Sequence, residues 1–492
     1  NDQRDMEFPG LNKAIHTLCI TLACACIPAN GERSASWPNQ RGPVSGQAST
    51  AWQQAPADAH LREWHYRSGS ARRYERGLTV WASPAVAIVN AVPMAFIGGY
   101  DQTLHALDLT EKERRWFKIT NAAIGDAPAV GTVQGRHVVF WGSADRFVYA
   151  HLAENGRRLW SRELIEAANT QGRVQMSAPC ISGDRLFISC FVYDKSTPRN
   201  EQKGWLYALN TGGGRILWRY EISQGPATAP VVCSLEGRTM VFVAASRGLL
   251  QAFDVTGTKP AKKWTFQMPH EVLGSPVLQT DTANPRIFLG SKFGNLIAVD
   301  ARTGAECWRT MTGNWVDNSA CVGTVNNEAV VFVGSHDYSL YALRAGDGSE
   351  MWHRPLGGEV FSAPCFFSYQ GRPTVAVAAL DNHLYILDAA SGDVLTTFFT
   401  GQPVWDRVTK GETLWGSPAA VEYRDSAAVV HGSYNGYVYT LPVDGEASLR
   451  TKVQGAASLW YGLGAMAAIF TAVILPSVLL WPERRRDPGV SS

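Results

Sequence analysis

The feature that most constrains this chain is an internal repeat. Three landmarks recur in a fixed order along most of its 492 residues. The first is a Ser/Ala-Pro step that opens an apolar run, at Ser83-Pro84, Ala127-Pro128, Ala178-Pro179, Ala229-Pro230, Ser275-Pro276, Ala363-Pro364 and Ser417-Pro418. An eighth copy, Asn318-Ser319-Ala320-Cys321, carries Cys where Pro is expected. The second is a small-residue turn that leads into a strand such as GSKFGNLIAVD (290–300) or GSHDYSLYALR (334–344). The third is a Gly-containing turn followed by Trp116, Trp160, Trp218, Trp264, Trp308 or Trp352, with Phe398-Phe399 standing there in the seventh copy. The period is roughly 40–54 residues and each unit holds four segments of alternating polarity, which predicts one four-stranded blade per unit. Eight such units predict an all-β, eight-bladed β-propeller.

The eighth unit has no Trp of its own before the chain leaves the repeats. Glu63-Trp64-His65-Tyr66 aligns with Met351-Trp352-His353-Arg354 and precedes the first Ser-Pro step. The strand around 62–68 is therefore expected to complete the last blade, closing the ring and removing an open sheet edge. The propeller is expected to span 62–446.

The ends read differently. Residues 1–29 contain a basic residue, a short apolar run and a small terminal residue, the pattern of a secretory signal peptide. Residues 30–61 form a Ser/Gly/Gln/Ala/Pro-rich lead-in and 447–457 a linker. Residues 458–481 carry no charge, are long enough to cross a bilayer, and end in Trp460, Tyr461 and Trp481; Arg484, Arg485 and Arg486 begin the tail 482–492. The expected arrangement is a single C-terminal transmembrane α-helix, with the tail in the cytoplasm and the propeller on the outer side, periplasmic in a bacterium.

A net charge of +2 gives no global field for nucleic acid, and none is expected as a partner. No CxxC, CxxCH or adjacent Cys pair occurs. Outside the leader, Cys180, Cys190, Cys233, Cys307, Cys321 and Cys365 are read as buried thiols on inner strands, with disulfides permitted by export. The units resemble the pyrroloquinoline-quinone (PQQ)-like propeller repeat, which Ala298-Val299-Asp300-Ala301-Arg302-Thr303-Gly304-Ala305-Glu306-Cys307-Trp308 matches in full, and Trp37-Pro38-Asn39-Gln40-Arg41-Gly42-Pro43 is similar to the lead-in of such proteins. The resemblance implies one of two characters. Quinoprotein dehydrogenases clamp PQQ between a Trp and a vicinal disulfide, beside calcium. BamB-type propellers keep the fold without the quinone and act as scaffolds. With no Cys-Cys pair and short blades, this chain resembles the second, and no cofactor is expected.

No nucleophile elbow, HExxH, P-loop or dinucleotide fingerprint occurs in a suitable context. Asp101, Asp337 and Asp381 lie in equivalent turns and are read as satisfying local backbone groups. His105, His151, His336, His383 and His431 are spread over different blades rather than converging on a metal. The long connections, 68–81, 161–174, 191–204 and 400–414, all fall on the face that carries second-to-third turns and blade-to-blade links. That face gives Arg72, Arg73, Arg76, Trp81, Lys195, Arg199, Lys203, Trp405, Arg407 and Lys410 as candidate partner-binding residues, interleaved with acids. Mixed charge with aromatics suits protein partners. The expected function is a non-catalytic, membrane-anchored interaction scaffold, with a PQQ-dependent dehydrogenase of reduced pocket or an extracytoplasmic ligand sensor as alternatives.

Overall fold

The computed structural model describes residues 64–67, 82–165, 173–193, 204–222, 228–280, 283–400, 416–423, 426–432 and 437–443. Among them are eight antiparallel sheets, one per sequence unit. Blade one is β2 (Ala85–Val89), β3 (Val92–Gly98), β4 (Thr103–Asp108) and β5 (Glu113–Ile119). Blade two is β6 (Ala129–Val133), β7 (Arg136–Gly142), β8 (Phe147–Leu152) and β9 (Arg158–Glu163). Blade three is β10 (Arg173–Met176), β11 (Cys180–Ser182), β12 (Arg185–Tyr193), β13 (Gly204–Asn210) and β14 (Ile216–Ile222). Its inner edge is split in two, because β10 and β11 both pair with the long β12, on either side of Ala178-Pro179. A Pro cannot donate to the ladder, which accounts for the break.

Blade four is β15 (Val231–Leu235), β16 (Arg238–Ala245), β17 (Leu249–Asp254) and β18 (Ala261–Gln267). Blade five is β19 (Val277–Gln279), β20 (Arg286–Gly290), β21 (Asn295–Asp300) and β22 (Glu306–Met311). Blade six is β23 (Cys321–Val325), β24 (Glu328–Gly334), β25 (Ser339–Arg344) and β26 (Glu350–Pro355). Blade seven is β27 (Cys365–Tyr369), β28 (Arg372–Ala378), β29 (His383–Asp388) and β30 (Val394–Phe399). Blade eight joins β31 (Ala419–Tyr423), β32 (Ser426–Gly432) and β33 (Tyr437–Pro442) to the N-terminal strand β1 (Trp64–Arg67). Trp64 pairs with Thr440, the register position at which every other third strand meets its outer-strand partner. The ring therefore closes as expected.

The outer Trp is the joint between blades. Five of these side chains leave their own sheet and lie on the Gly turn of the next blade. A Cβ on Gly156, Gly214, Gly304, Gly348 or Gly392 would come within 3 Å of Trp116, Trp160, Trp264, Trp308 or Trp352 respectively. All five glycines have positive φ. The indole N–H donates to a backbone oxygen of that same next blade, as from Trp116 to Ala153 (2.8 Å) and from Trp308 to Ala345 (3.0 Å). Within its own blade each Trp also meets a second-strand Phe, for example Phe288 with Trp308 at 5.7 Å. Trp218 is the exception: blade four puts Asp254-Val255-Thr256-Gly257 at the turn, and the Trp218 Nε1 finds no partner among the described residues.

The seventh unit corrects an expectation. Register places Thr396, not Phe398-Phe399, at the outer Trp position, opposite Ile386 where other blades have Ala. A larger third-strand residue fills part of the space that a Trp would take, so volume is shared across the pair. The Pro step of blade six needs a similar correction. The Ser319 hydroxyl accepts from the Ser275 N–H at 2.9 Å, so Ser319 is the Ser of the step and Ala320, not Cys321, stands where Pro is expected. The step has a role around the inner ring. The Ser hydroxyl takes the N–H of the preceding blade in Ala229 to Ser275, Ala363 to Ser417, and Ser417 to Ser83. Asp126 serves two such amides, its own neighbour Ala127 and Ala178 of the next blade.

The cysteines divide. Cys190 and Cys233 are buried thiols, pushed up by burial, Cys233 to about 12. Cys307 is exposed on the outer strand β22, contrary to expectation, because its side of that strand faces solvent rather than the next blade. First-to-second turns are short except in blade five, where residues 280–285 make a longer connection. Residues 1–63 and 444–492, with the expected leader, linkers and transmembrane helix, lie outside the described residues. No helix among the described residues is long and apolar enough to cross a membrane.

Candidate functional site: the link face

In an up-and-down blade, the second-to-third turns and the blade-to-blade links emerge on one face. All ten residues predicted for a partner surface there fall outside the described residues. The described part of the face is built from a repeated device. Asp101, Asp145, Asp337 and Asp381 each accept the backbone N–H two residues on through Oδ1. Their Oδ2 takes the third-strand residue four positions on: His105 Nε2 (2.9 Å), the Tyr149 hydroxyl (2.7 Å), the Tyr341 hydroxyl (2.5 Å) and the Tyr385 hydroxyl. The bracket also holds the link arriving from the preceding blade, since the Asn121 and Gly313 amides donate to Asp145 and Asp337, and the Gly357 amide to Tyr385. Burial and then the Asp337 bond push the Tyr341 phenol up to about 12. These acids are thus committed to local backbone, as their turn positions predicted.

Blades four and five abandon the bracket at both ends. Arg247 replaces the Asp and Gln251 the Tyr in blade four; Phe293 and Ile297 do so in blade five. Phe293 has φ 70° and is 61% exposed, with its ring 4.5 Å from His270. In blade six the next turn position is Tyr338, at φ 71° and 49% exposed, where other blades use Gly, Asn, Gln or Arg. Left-handed backbone costs a bulky side chain about 1–2 kcal/mol, and both rings spend it facing solvent. Met311, 59% exposed, pairs with Asn295 at the end of β22 beside the Phe293 turn. Gly313, two residues on, donates to Asp337, which adjoins Tyr338. The three exposed apolar residues thus all stand on the link face of adjacent blades five and six.

The same two blades and their links also carry a polar cluster. The His336 ring sits between Trp315 (5.8 Å) and Phe361 (3.9 Å), with Nε2 3.6 Å from Asp317 Oδ2 and Nδ1 4.0 Å from Glu359. Burial holds His336 down to about 4 and lifts Asp317 to about 6, and it lifts Glu359 too. Asp317 Oδ1, Asn318 Oδ1 and His336 Nε2 are buried without a hydrogen-bond partner among the described residues. Lys292 pairs with Glu271 at 2.8 Å over the Trp315 ring.

The histidines do not converge. His151 stacks on Trp141 at 4.7 Å, His383 pairs with Asp381, and His431 is wholly buried on β32. No group of His, Cys, Asp and Glu suited to a metal occurs among the described residues. The adjacent cysteines of a quinone clamp are missing from the sequence, and Asn318, beside Asp317, spends its amide on the Gly334 and Val360 oxygens. The residues present do not fit PQQ with calcium. The signal for the blade five and six patch was open in the sequence as the exchange of Asp for Phe293 in the blade five turn; what it exposed was not.

Two overlapping stretches, 144–310 and 292–460, match the family model described as outer membrane protein assembly factor BamB. The chain belongs to this family. Among solved structures, BamB from Moraxella catarrhalis superposes with a TM-score of 0.50 at 16% identity, covering 77% of this chain and 97% of that one. Quinohemoprotein alcohol dehydrogenase from Comamonas testosteroni gives 0.59 at 13% identity, covering 84% and 81%. Both likenesses speak for the fold alone. A curated relative, the serine/threonine-protein kinase AfsK of Streptomyces griseus, is 25% identical over 292 residues, 52% of this chain; the match spans only 32% of the kinase.

Proposed function

We propose that this chain is a membrane-anchored propeller that gathers partner proteins through its link face, on the outer side of a membrane and, in a bacterium, on the periplasmic side of the inner membrane. One observation carries the reading. Of the exposed large hydrophobic residues, Tyr100, Ile119, Phe293, Met311, Tyr338 and Phe399 lie at link-face ends of strands or in link-face turns, while Phe117, Leu159, Ile216 and Val394 are dispersed over outer strands. Apolar groups gathered on the loop side of a rigid ring mark a contact surface. The BamB family's role in outer membrane protein assembly fits a scaffold. The run 458–481 and the arginines after it supply the anchor and its direction. The test is a pull-down of the full chain in mild detergent, repeated with 191–204 and 400–414 replaced by Gly-Ser turns. Stable co-purifying proteins lost on replacement support the reading; a solitary protein in both cases ends it.

A quinoprotein oxidoreductase is the second reading, on a fold shared with quinohemoprotein alcohol dehydrogenase but without described residues that fit the quinone. Adding PQQ and calcium to the purified protein and reading the quinone absorbance after gel filtration decides it. No retained quinone excludes it.

A further inference from the structure

From the blade five and six patch we infer a specific docking site, resting on the scaffold reading: the site takes a partner segment that presents an apolar side chain beside a Lys or Arg. Three independent observations meet here. The first is backbone strain spent on exposure. Phe293 and Tyr338 occupy left-handed positions that Gly or Asn fill at no steric cost, and both rings face solvent. With Met311 they put three exposed apolar side chains on the link face of adjacent blades.

The second is charge. Glu271, paired with Lys292 next to Phe293, and Glu359, 4.0 Å from His336, are both partly exposed; Asp337 adjoins Tyr338 in sequence, and Asp317 is buried 3.6 Å from His336. Against these four carboxylates stand Lys292, already paired with Glu271, and Arg247 on the neighbouring blade. The surface is therefore net acidic around an apolar centre, in a protein whose overall charge is slightly positive. Such a field selects a basic partner and disfavours an acidic one.

The third is unmet polar demand. Asp317 and His336 are 4% and 7% exposed, and Asp317 Oδ1 and His336 Nε2 have no hydrogen-bond partner among the described residues. They lie under the aromatic wall of Trp315 and Phe361, next to Glu359. A guanidinium or ammonium that pairs with the partly exposed Glu359 is backed by the buried Asp317 carboxylate across the His336 ring.

The test pans a phage-displayed random 12-residue library on the immobilised full-length protein, with the double variant Phe293→Asn, Tyr338→Asn as counter-selection. Asn tolerates positive φ, so the double variant is expected to melt at or above the wild-type temperature while losing at least tenfold in affinity for selected peptides. Those peptides are expected to pair Leu, Ile, Phe or Trp with Lys or Arg, and Glu359→Gln to weaken them severalfold. Absence of peptides that distinguish wild type from the double variant, or enrichment of acidic ones, overturns the site. The detergent pull-down run on the same double variant separates the two ideas. Partners retained at full yield refute the docking site and leave the scaffold standing; partners lost while the fold melts normally support both.

Discussion

Replacing Gly304 by Ala tests the Trp joint with an internal control. Gly304 has φ 76°, and a Cβ there would lie 2.6 Å from Trp264 Cδ2 and 2.7 Å from its Cε3. Gly371, in the first-to-second turn of blade seven, also has φ 76°, but nothing lies within 4 Å of its Cβ position. Both substitutions place Ala in the left-handed region, at about 1–2 kcal/mol, and both shrink the entropy of the unfolded chain equally. Only Gly304→Ala forces an indole off its seat, adding about 1–3 kcal/mol as an overpacked contact. Urea unfolding followed by circular dichroism should therefore rank Gly304→Ala below Gly371→Ala, by about 1–3 kcal/mol. Trp264→Leu in the Gly304→Ala background should cost less than in wild type, because there it also relieves the clash with the added Cβ. Equal stabilities of the two Ala variants within about 0.5 kcal/mol, or additive behaviour with Trp264→Leu, would refute the joint as described.

Other outcomes are equally direct. Thr396→Val removes a buried hydroxyl that has no partner among the described residues and keeps its shape; it should raise the melting midpoint, by about 1 kcal/mol of stability, as read by calorimetry. Tyr341→Phe takes the hydroxyl from Asp337; a loss of about 1.5–3 kcal/mol is expected for a bond to a charged group, with faster hydrogen exchange at the Gly313 amide. Burial depresses the folded pKa of His431 from 6.5 to about 3 and of His151 to about 4. The unfolded chain then binds more protons between these values and 6.5. Stability from each neutral imidazole is full above pH 6.5 and falls as pH drops toward the folded value. His431→Leu should flatten the stability–pH slope by up to about 1.4 kcal/mol per unit between pH 6 and 4, and an unchanged slope would contradict its burial.

The fold was open in the sequence because its landmarks answer fixed backbone needs. A Pro or Ser at the inner step, a Gly at the docking turn and a Trp eight residues after Asp300 each recur for a stated reason. Residue type and register diverge at two of these landmarks. In blade seven the eye moves to Phe398, but Thr396 lies the same distance beyond Asp388 as Trp308 lies beyond Asp300. The bulge after the third-strand Ala makes such one-residue slips easy, since it breaks strict alternation. Cys307 was misplaced because the outer strand's solvent side carries no hydrophobic pattern of its own. The site was less legible. The exchange of Asp for Phe293 stands in the sequence, yet its meaning depends on φ and on exposure, which arise only once the neighbouring blade fixes the turn.

The pairing of Trp64 with Thr440 also sets a schedule. Each blade up to the seventh is made of strands close in sequence and can form as it leaves the ribosome or translocon. The last sheet joins the first strand to one separated from it by nearly the whole propeller. Loop closure of that span is slow, and until it happens β33 has an open edge. A chain delivered N-terminus first thus carries its latch from the start and has nothing to fasten it to until the end. Any factor that shields residues 64–67 during synthesis would govern the yield of closed rings.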